Sequence, residues 1–190
     1  MRAFIAIALP KEIKDELARL QEKLKSAGAD VKWVMPENIH LTLKFLGEID
    51  DKEADQIIRI IGETSQHHDG FIIRINSLGV FPKPDFPRVI WAGVDLGDKQ
   101  AKNVAAELEE KIAPAGTAKQ KKEFSSHITI GRIRSPINRG KLIQELNNLA
   151  GYFQTKNLQF KAAKITLFKS TLTPKGPVYE VQKEASLKAS

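Results

Sequence analysis

The chain has 190 residues, with 30 Lys and Arg against 23 Asp and Glu, a net charge of +7 and a pI near 9.5. It contains no cysteine, which excludes disulfides, thiolate metal sites and cysteine nucleophiles. Its length suits one domain with a sizeable core, and the basic excess favours acidic partners, of which nucleic acid is the commonest.

Residues 4–9 are apolar throughout and predict a central strand. The run stops at Pro10 with Lys11 and Glu12 behind it, unlike a secretory leader, and no stretch approaches the roughly 20 apolar residues that span a bilayer. A cytoplasmic location is therefore expected. Ile13, Leu17, Leu20 and Leu24 recur at helical spacing over residues 11–25, with Gly28 available to end the helix. A strand is predicted over residues 39–46, then a helix over 50–66 carrying Ile57, Ile58 and Ile61. A strand pair, 71–80 and 88–94, is joined by the turn-rich Phe81-Pro82-Lys83-Pro84-Asp85.

The second half retraces this order. Residues 89–94 read as an apolar strand and 98–112 as a helix with Val104, Leu108 and Ile112. A strand over 127–133 precedes a helix over 138–149 with Leu142, Leu146 and Leu149. Two last strands, 158–168 and 178–183, flank Thr173-Pro174-Lys175-Gly176-Pro177. His40 follows Phe4 at nearly the interval by which His127 follows Val89, so an approximate internal duplication is expected. Duplicated halves commonly pair about a pseudo-two-fold axis, which would bring two distant histidines to one cleft.

Those histidines open two matching motifs, His40-Leu41-Thr42-Leu43 and His127-Ile128-Thr129-Ile130. On a strand, alternate side chains share a face, so each motif presents an imidazole and a hydroxyl while its aliphatic residues anchor the other side. One such motif arises easily by chance; two at matching places do not. Cleaving a phosphodiester requires a proton taken from the attacking oxygen and one given to the departing oxygen. Two imidazoles, one neutral and one protonated, do both without a metal. Each threonine hydroxyl can donate to a non-bridging phosphate oxygen.

Over nearly its whole length the chain resembles the LigT-like RNA 2′,3′-cyclic phosphodiesterases of the 2H phosphoesterase superfamily. The resemblance rests on Arg2-Ala3-Phe4-Ile5-Ala6, on the segment from His40 to Gly47, on Arg88-Val89-Ile90-Trp91-Ala92-Gly93, and on residues 124–132 and 172–179. It implies an α+β fold of two pseudo-symmetric lobes, each an antiparallel sheet with helices packed outside, and an active site in the cleft between them. It further implies one domain over 1–190, and hydrolysis of RNA or nucleotide 2′,3′-cyclic phosphate ends to a 2′-phosphate. By resemblance His40 is the proton donor and His127 the proton acceptor. The motifs themselves are too nearly symmetric to decide this.

A proline often precedes the second histidine in this family, where this chain has Ser126. Arg132 matches an arginine that commonly ends the second motif and is a candidate phosphate ligand with Thr42 and Thr129. Strict alternation would turn Arg132 away from His127 unless the strand bulges. The segment His67-His68-Asp69-Gly70 reads as an exposed helix end and not a metal site. Lys44, Lys83, Arg88, Arg134, Lys169 and Lys175 read individually as solvated charges, some of which guide an RNA backbone. Phe45 and Trp91, each a possible base-stacking ring, read as core among apolar neighbours. No cofactor and no metal are expected, and a monomer is. The competing readings are a phosphodiesterase for small cyclic nucleotides or ADP-ribose cyclic phosphate, reversible 2′–5′ RNA ligation, and a non-catalytic RNA-binding module.

Overall fold

The computed structural model describes residues 1–115 and 124–189. The apolar run at the start forms β1 (Arg2–Ala8), followed by α1 (Lys11–Lys25), the short β2 (Val31–Trp33) and a single 3₁₀ turn at Pro36–Asn38. The first motif opens β3 (His40–Glu48), and α2 (Asp51–Ser65) follows. A reciprocal capping box starts α2: Asp50 accepts from the Glu53 backbone N–H while the Glu53 carboxylate accepts from that of Asp50, both at 2.8 Å. Then come β4 (Phe71–Phe81), β5 (Val89–Val94), α3 (Asp98–Ile112), β6 (His127–Ile133), α4 (Arg139–Asn148), β7 (Leu158–Ala162), β8 (Lys164–Thr173) and β9 (Gly176–Ser186).

These strands make two sheets, in the orders β3-β1-β8-β9 and β2-β6-β5-β4-β7, with every neighbouring pair antiparallel. Each sheet takes strands from both halves of the sequence. The helices exchange as well. α1 leaves the first sheet and packs on β7 and α4 with the second, whereas α3 leaves the second and packs on β3 and α2 with the first. Ile5, Ile7, Leu41, Ile165 and Leu167 are buried on one side, and Ile73, Ile90, Ile128 and Ile130 on the other, in one continuous apolar cluster with the helices. The expected α+β architecture of two sheet-and-helix lobes is therefore the observed one. No described helix is long and apolar enough to cross a membrane.

Three local expectations change. The strand expected over 158–168 is two strands in different sheets. The period of two holds through Ala162 and then fails, because Ala163 and Lys164 are exposed in succession and the chain crosses from β4 to β1. β2 was not expected, since three residues are too few to display alternation. Lys44 is no solvated charge: it is fully buried, with its ammonium 2.5 Å from the Glu109 carboxylate of α3. A bulge in β3 turns it inward. Ile5 lies opposite Lys44 and Ala6 opposite Thr42, so Leu43 is an extra residue and two consecutive side chains point into the core.

This ion pair fastens the first motif's strand to a helix supplied from the other sheet. Truncating one partner leaves the other charge buried and uncompensated, which costs about 3–5 kcal/mol, whereas replacing both by apolar groups costs far less. Urea denaturation should find Glu109→Ala strongly destabilised and Lys44→Met combined with Glu109→Ala largely restored. A loss below about 1 kcal/mol in Glu109→Ala would show that the pair carries no such weight.

Candidate active site

Both motifs begin at the first residue of their strands. In the first sheet His40 lies opposite Ala8 and Thr42 opposite Ala6. In the second, His127 lies opposite Gly93 and Thr129 opposite Trp91. Leu41, Leu43, Ile128 and Ile130 are buried on the reverse faces, so the alternation read from the sequence is the one observed. Small residues beside both histidines leave open space above each strand. The indole of Trp91 uses part of it, lying across Gly79 and Gly93 where any side chain would collide with the ring.

The two imidazoles are held alike. His40 Nδ1 is 2.7 Å from the Asn38 carbonyl and His127 Nδ1 is 2.7 Å from the Ser125 carbonyl. A carbonyl only accepts, so each Nδ1 carries hydrogen and each Nε2 is left for the cleft. In the neutral ring Nε2 is a base, and in the charged ring an acid. Ser126 itself is buried and its carbonyl accepts from Val94 N–H at 3.3 Å, so the sheet fixes the backbone just before His127. Aromatic rings orient the imidazoles further. Phe4 stacks on His40 at 4.7 Å between centroids, and Phe81 meets His127 edge-on at 5.0 Å.

Burial pulls His40 down to about 4; the bond to Asn38 opposes this and the nearby Lys14 charge adds to it. Burial also lowers His127, opposed by the bond to Ser125 and assisted by Arg132. Both rings are thus predominantly neutral near pH 7 in the free protein. Among the described residues no carboxylate pairs with either ring, and neither Thr42 nor Thr129 hydroxyl has a protein partner.

A bulge decides the position of Arg132. Thr129 lies opposite Trp91 and Gly131 opposite Ile90, so Ile130 is the extra residue, and Arg132 comes opposite Val89. Val89 shares its face with Trp91 and Gly93, and Arg132 therefore shares the face of His127. The carbonyl of Ile130 is satisfied at this irregularity by Val34 N–H at 3.0 Å and Gln21 Nε2 at 2.8 Å. The bulge at Leu43 does the same in the first motif and turns Phe45 onto the face of Phe4, where it is 59% exposed. Phe45 and the half-buried Trp91 are thus cleft-face residues, contrary to the expected core packing. In each case the extra residue reversed the alternation or the neighbouring glycines opened the face.

Tyr179 of β9 closes the arrangement. Its ring stands edge-on to His40 at 5.5 Å, and the charge of Arg132 acts on both Tyr179 and His127. The strands that carry the two motifs, β3 and β6, are themselves in contact, so the motifs lie where the two sheets meet. Burial raises the Tyr179 hydroxyl, with Arg132 and Arg2 pulling it the other way, so it remains a donor at neutral pH. Nothing in the sequence assigned Tyr179 a role beyond its place at the end of the 172–179 segment.

The remaining candidates lie elsewhere or are engaged. His67 and His68 both bind Glu107, at 2.7 and 2.8 Å, with Lys111 on the same carboxylate. Among the described residues no group of three or more His, Cys, Asp and Glu side chains converges to hold a metal ion. Lys169 pairs with Glu180, and Arg88 and Arg139 sit over the Phe86 ring. Lys83 and Arg134 are exposed outside the motifs, while Lys175 lines a pocket of about 390 Å³ beside His40.

The model of the LigT like phosphoesterase family matches residues 7–91 and 94–179 of this chain. The chain belongs to that family. This LigT-like phosphoesterase is 37% identical to the RNA 2′,3′-cyclic phosphodiesterase of Methanocaldococcus jannaschii over 184 residues, covering 97% of this chain and 99% of the relative. It is 34% identical to that of Methanothermobacter thermautotrophicus over 180 residues, covering 94% and 95%. A crystal structure from Thermus thermophilus superposes with a TM-score of 0.83 at 28% identity, covering 100% of this chain and 99% of that one. The fold is also that of Escherichia coli LigT crystallised with 3′-AMP, with a TM-score of 0.78 at 24% identity, covering 98% and 97%.

The depressed His40 makes a test possible without substrate. An imidazole that is protonated near 6.5 in the unfolded chain and only near 4 in the fold favours unfolding as acid is added. Stability is therefore fully present above about pH 6.5 and falls as the pH drops toward 4. Proton NMR should give His40 a midpoint near 4. His40→Gln should flatten the decline in urea midpoint over that window, and an ordinary His40 titration near 6.5 would refute the assignment.

Proposed function

We propose that the chain hydrolyses 2′,3′-cyclic phosphate at RNA ends to a terminal 2′-phosphate, with His40 as proton donor and His127 as proton acceptor. The observation that carries this is the matched pair of imidazoles on contacting strands, each oriented by a backbone carbonyl behind it so that Nε2 is left free for substrate. The names of the relatives support the substrate. The carry-over of donor and acceptor follows the family resemblance.

In the reaction, His127 Nε2 takes a proton from water as the oxygen bonds to phosphorus. The bond from phosphorus to the 3′ oxygen breaks, and His40 Nε2–H protonates that oxygen. One water is consumed, and the proton gained by His127 returns to His40 through solvent, completing the cycle. Thr42 and Thr129 donate to the non-bridging oxygens, and Arg132 and the Tyr179 hydroxyl stabilise their growing charge. The exposed Phe45 ring offers a face on which a base can stack. Replacing water by a 5′ hydroxyl gives 2′–5′ ligation by the same proton transfers.

The low His127 suits a base, but His40 is neutral in the free protein and needs a proton to act. The phosphodiester anion supplies the reason to take one, because an adjacent negative charge favours imidazolium. Substrate thus arms its own acid.

Three outcomes test this with a 2′,3′-cyclic nucleotide over about pH 3 to 9. His40→Ala and His127→Ala should each lose about 10²–10⁴ in rate, with the alkaline limb disappearing in the first and the acid-side limb in the second. Full activity in either would end the two-histidine reading. The wild-type alkaline limb should lie at higher pH in kcat than in kcat/KM, since bound anion raises His40; coincident limbs would remove substrate arming. Thr42→Val and Thr129→Val should each cost on the order of 10²-fold with the fold intact, and near-normal turnover in both would free the hydroxyls from the phosphate.

A further inference from the structure

The pocket of about 390 Å³ touches His40 and does not touch His127. Neither Thr42 nor Phe45 lines it: its β1 contribution is Ala8, opposite His40, and Phe168 of β8, stacked on Phe4, closes its inner end. Met35, Val178 and Tyr179 give it apolar sides, and two lysines, Lys14 and Lys175, enter from α1 and from the turn between β8 and β9. Glu37 is the one carboxylate among its described lining residues, and Lys14 donates to the Glu37 carbonyl at 2.8 Å, not to that carboxylate. Lys175 has no hydrogen-bond or ion-pair partner among the described residues. The wall is built in advance of any ligand. Asn38 Nδ2 donates to the Pro177 carbonyl at 2.8 Å and Thr173 Oγ1 to the Gly176 carbonyl at 2.6 Å, which pins the hairpin to the turn that also holds His40.

Substrate stereochemistry says what such a pocket can receive. In a ribose 2′,3′-cyclic phosphate, C2′ is bonded to C1′, which carries the base, and C3′ to C4′, which carries the 5′ carbon. The oxygen that leaves toward His40 is the one on C3′. The 5′ side of the ribose therefore lies at the flank of His40, and the base is carried on the other side of the sugar. What continues from the 5′ carbon in RNA is a phosphodiester and then the preceding nucleotide. Two cations beside an apolar slot match that pair, phosphate first and base beyond. The volume is in the range of one small-ligand site, about 300–1,000 Å³, and so holds one further nucleotide and not a long stretch of chain.

We propose that the pocket between the Met35 turn and the β8–β9 hairpin is a subsite for the nucleotide preceding the cyclic end, through which the enzyme prefers RNA chains to free cyclic nucleotides. This rests on His40 being the donor to the 3′ oxygen. The selectivity resides in Lys14, Lys175 and the apolar walls, while the bond-breaking groups are common to both substrates.

The test compares kcat/KM for a nucleoside 2′,3′-cyclic phosphate, its 5′-phosphorylated form and a dinucleotide ending in the same cyclic nucleotide. The wild type should favour the dinucleotide over the mononucleotide by about tenfold or more, the 5′-phosphate lying between. Lys175→Glu reverses a wall charge and Val178→Trp fills the slot; either should bring that ratio toward one, with folding checked by circular dichroism. A wild-type ratio near one, or a preference unchanged in both folded variants, would overturn the subsite while leaving mononucleotide hydrolysis and the proposed function standing. Failure of the wild type to cleave any of the three would remove the proposed function, and this inference with it.

Discussion

Each sheet is covered by a helix that the other sheet's strands deliver, and the geometry of the cleft depends on that exchange. α1 departs from β1 in the first sheet and lies with the second, and α3 departs from β5 in the second and lies with the first. The two lobes cannot drift apart as independent bodies without exposing Leu17, Leu20, Val104 and Leu108, all fully buried. Burying a side chain of that size stabilises by roughly 1.5–3 kcal/mol. The groups that need fixed separation therefore sit on opposite sides of a shared core. Gln21 of α1 extends the coupling into the site, since its amide reaches the carbonyl at the second motif's bulge.

Within that frame the same low-dielectric surroundings act on both histidines and on Tyr179, in directions set by charge type. They depress the histidines and raise Tyr179, so each group rests in its uncharged form. Arg132 remains a fixed cation among them. A cleft whose histidines and tyrosine rest uncharged beside the cations Arg132, Arg2 and Lys14 attracts an anion and becomes more polar only when the anion has arrived.

The sequence displayed those features that follow from short-range alternation. His40, Thr42, His127 and Thr129 occupy the face assigned to them because their aliphatic neighbours repeat without interruption. The helices followed from periodicity and the helix end at His67 and His68 from the glycine behind it, whereas the α+β class followed from the family resemblance. Much of what failed is controlled by an inserted residue or a break in the period, while β2 was too short to show a period and Trp91 owes its face to Gly79 and Gly93. Lys44, Phe45 and the division of residues 158–168 all lie where the period of two breaks, and a break has no compositional mark in a run such as Leu43-Lys44-Phe45-Leu46. Arg132 was legible only as a conditional, resting on a bulge at Ile130 that the structure contains. Tyr179 and the carbonyls of Asn38 and Ser125 were illegible for a different reason. They meet the motifs through tertiary pairing and backbone groups, neither of which a residue string displays.

The bulge that follows each threonine has one more consequence. Up to that point the two strands run in parallel formats, histidine, aliphatic, threonine, aliphatic; beyond it they diverge, to an exposed ring in Phe45 and a cation in Arg132. A scaffold with near-twofold likeness would accept a ligand in either of two orientations. An RNA terminus is a directional object, with unlike groups on either side of its sugar. Different residues past otherwise matching bulges make one orientation unlike the other, so the cleft acquires a polarity, a front and a back, without altering the pair of histidines at its centre.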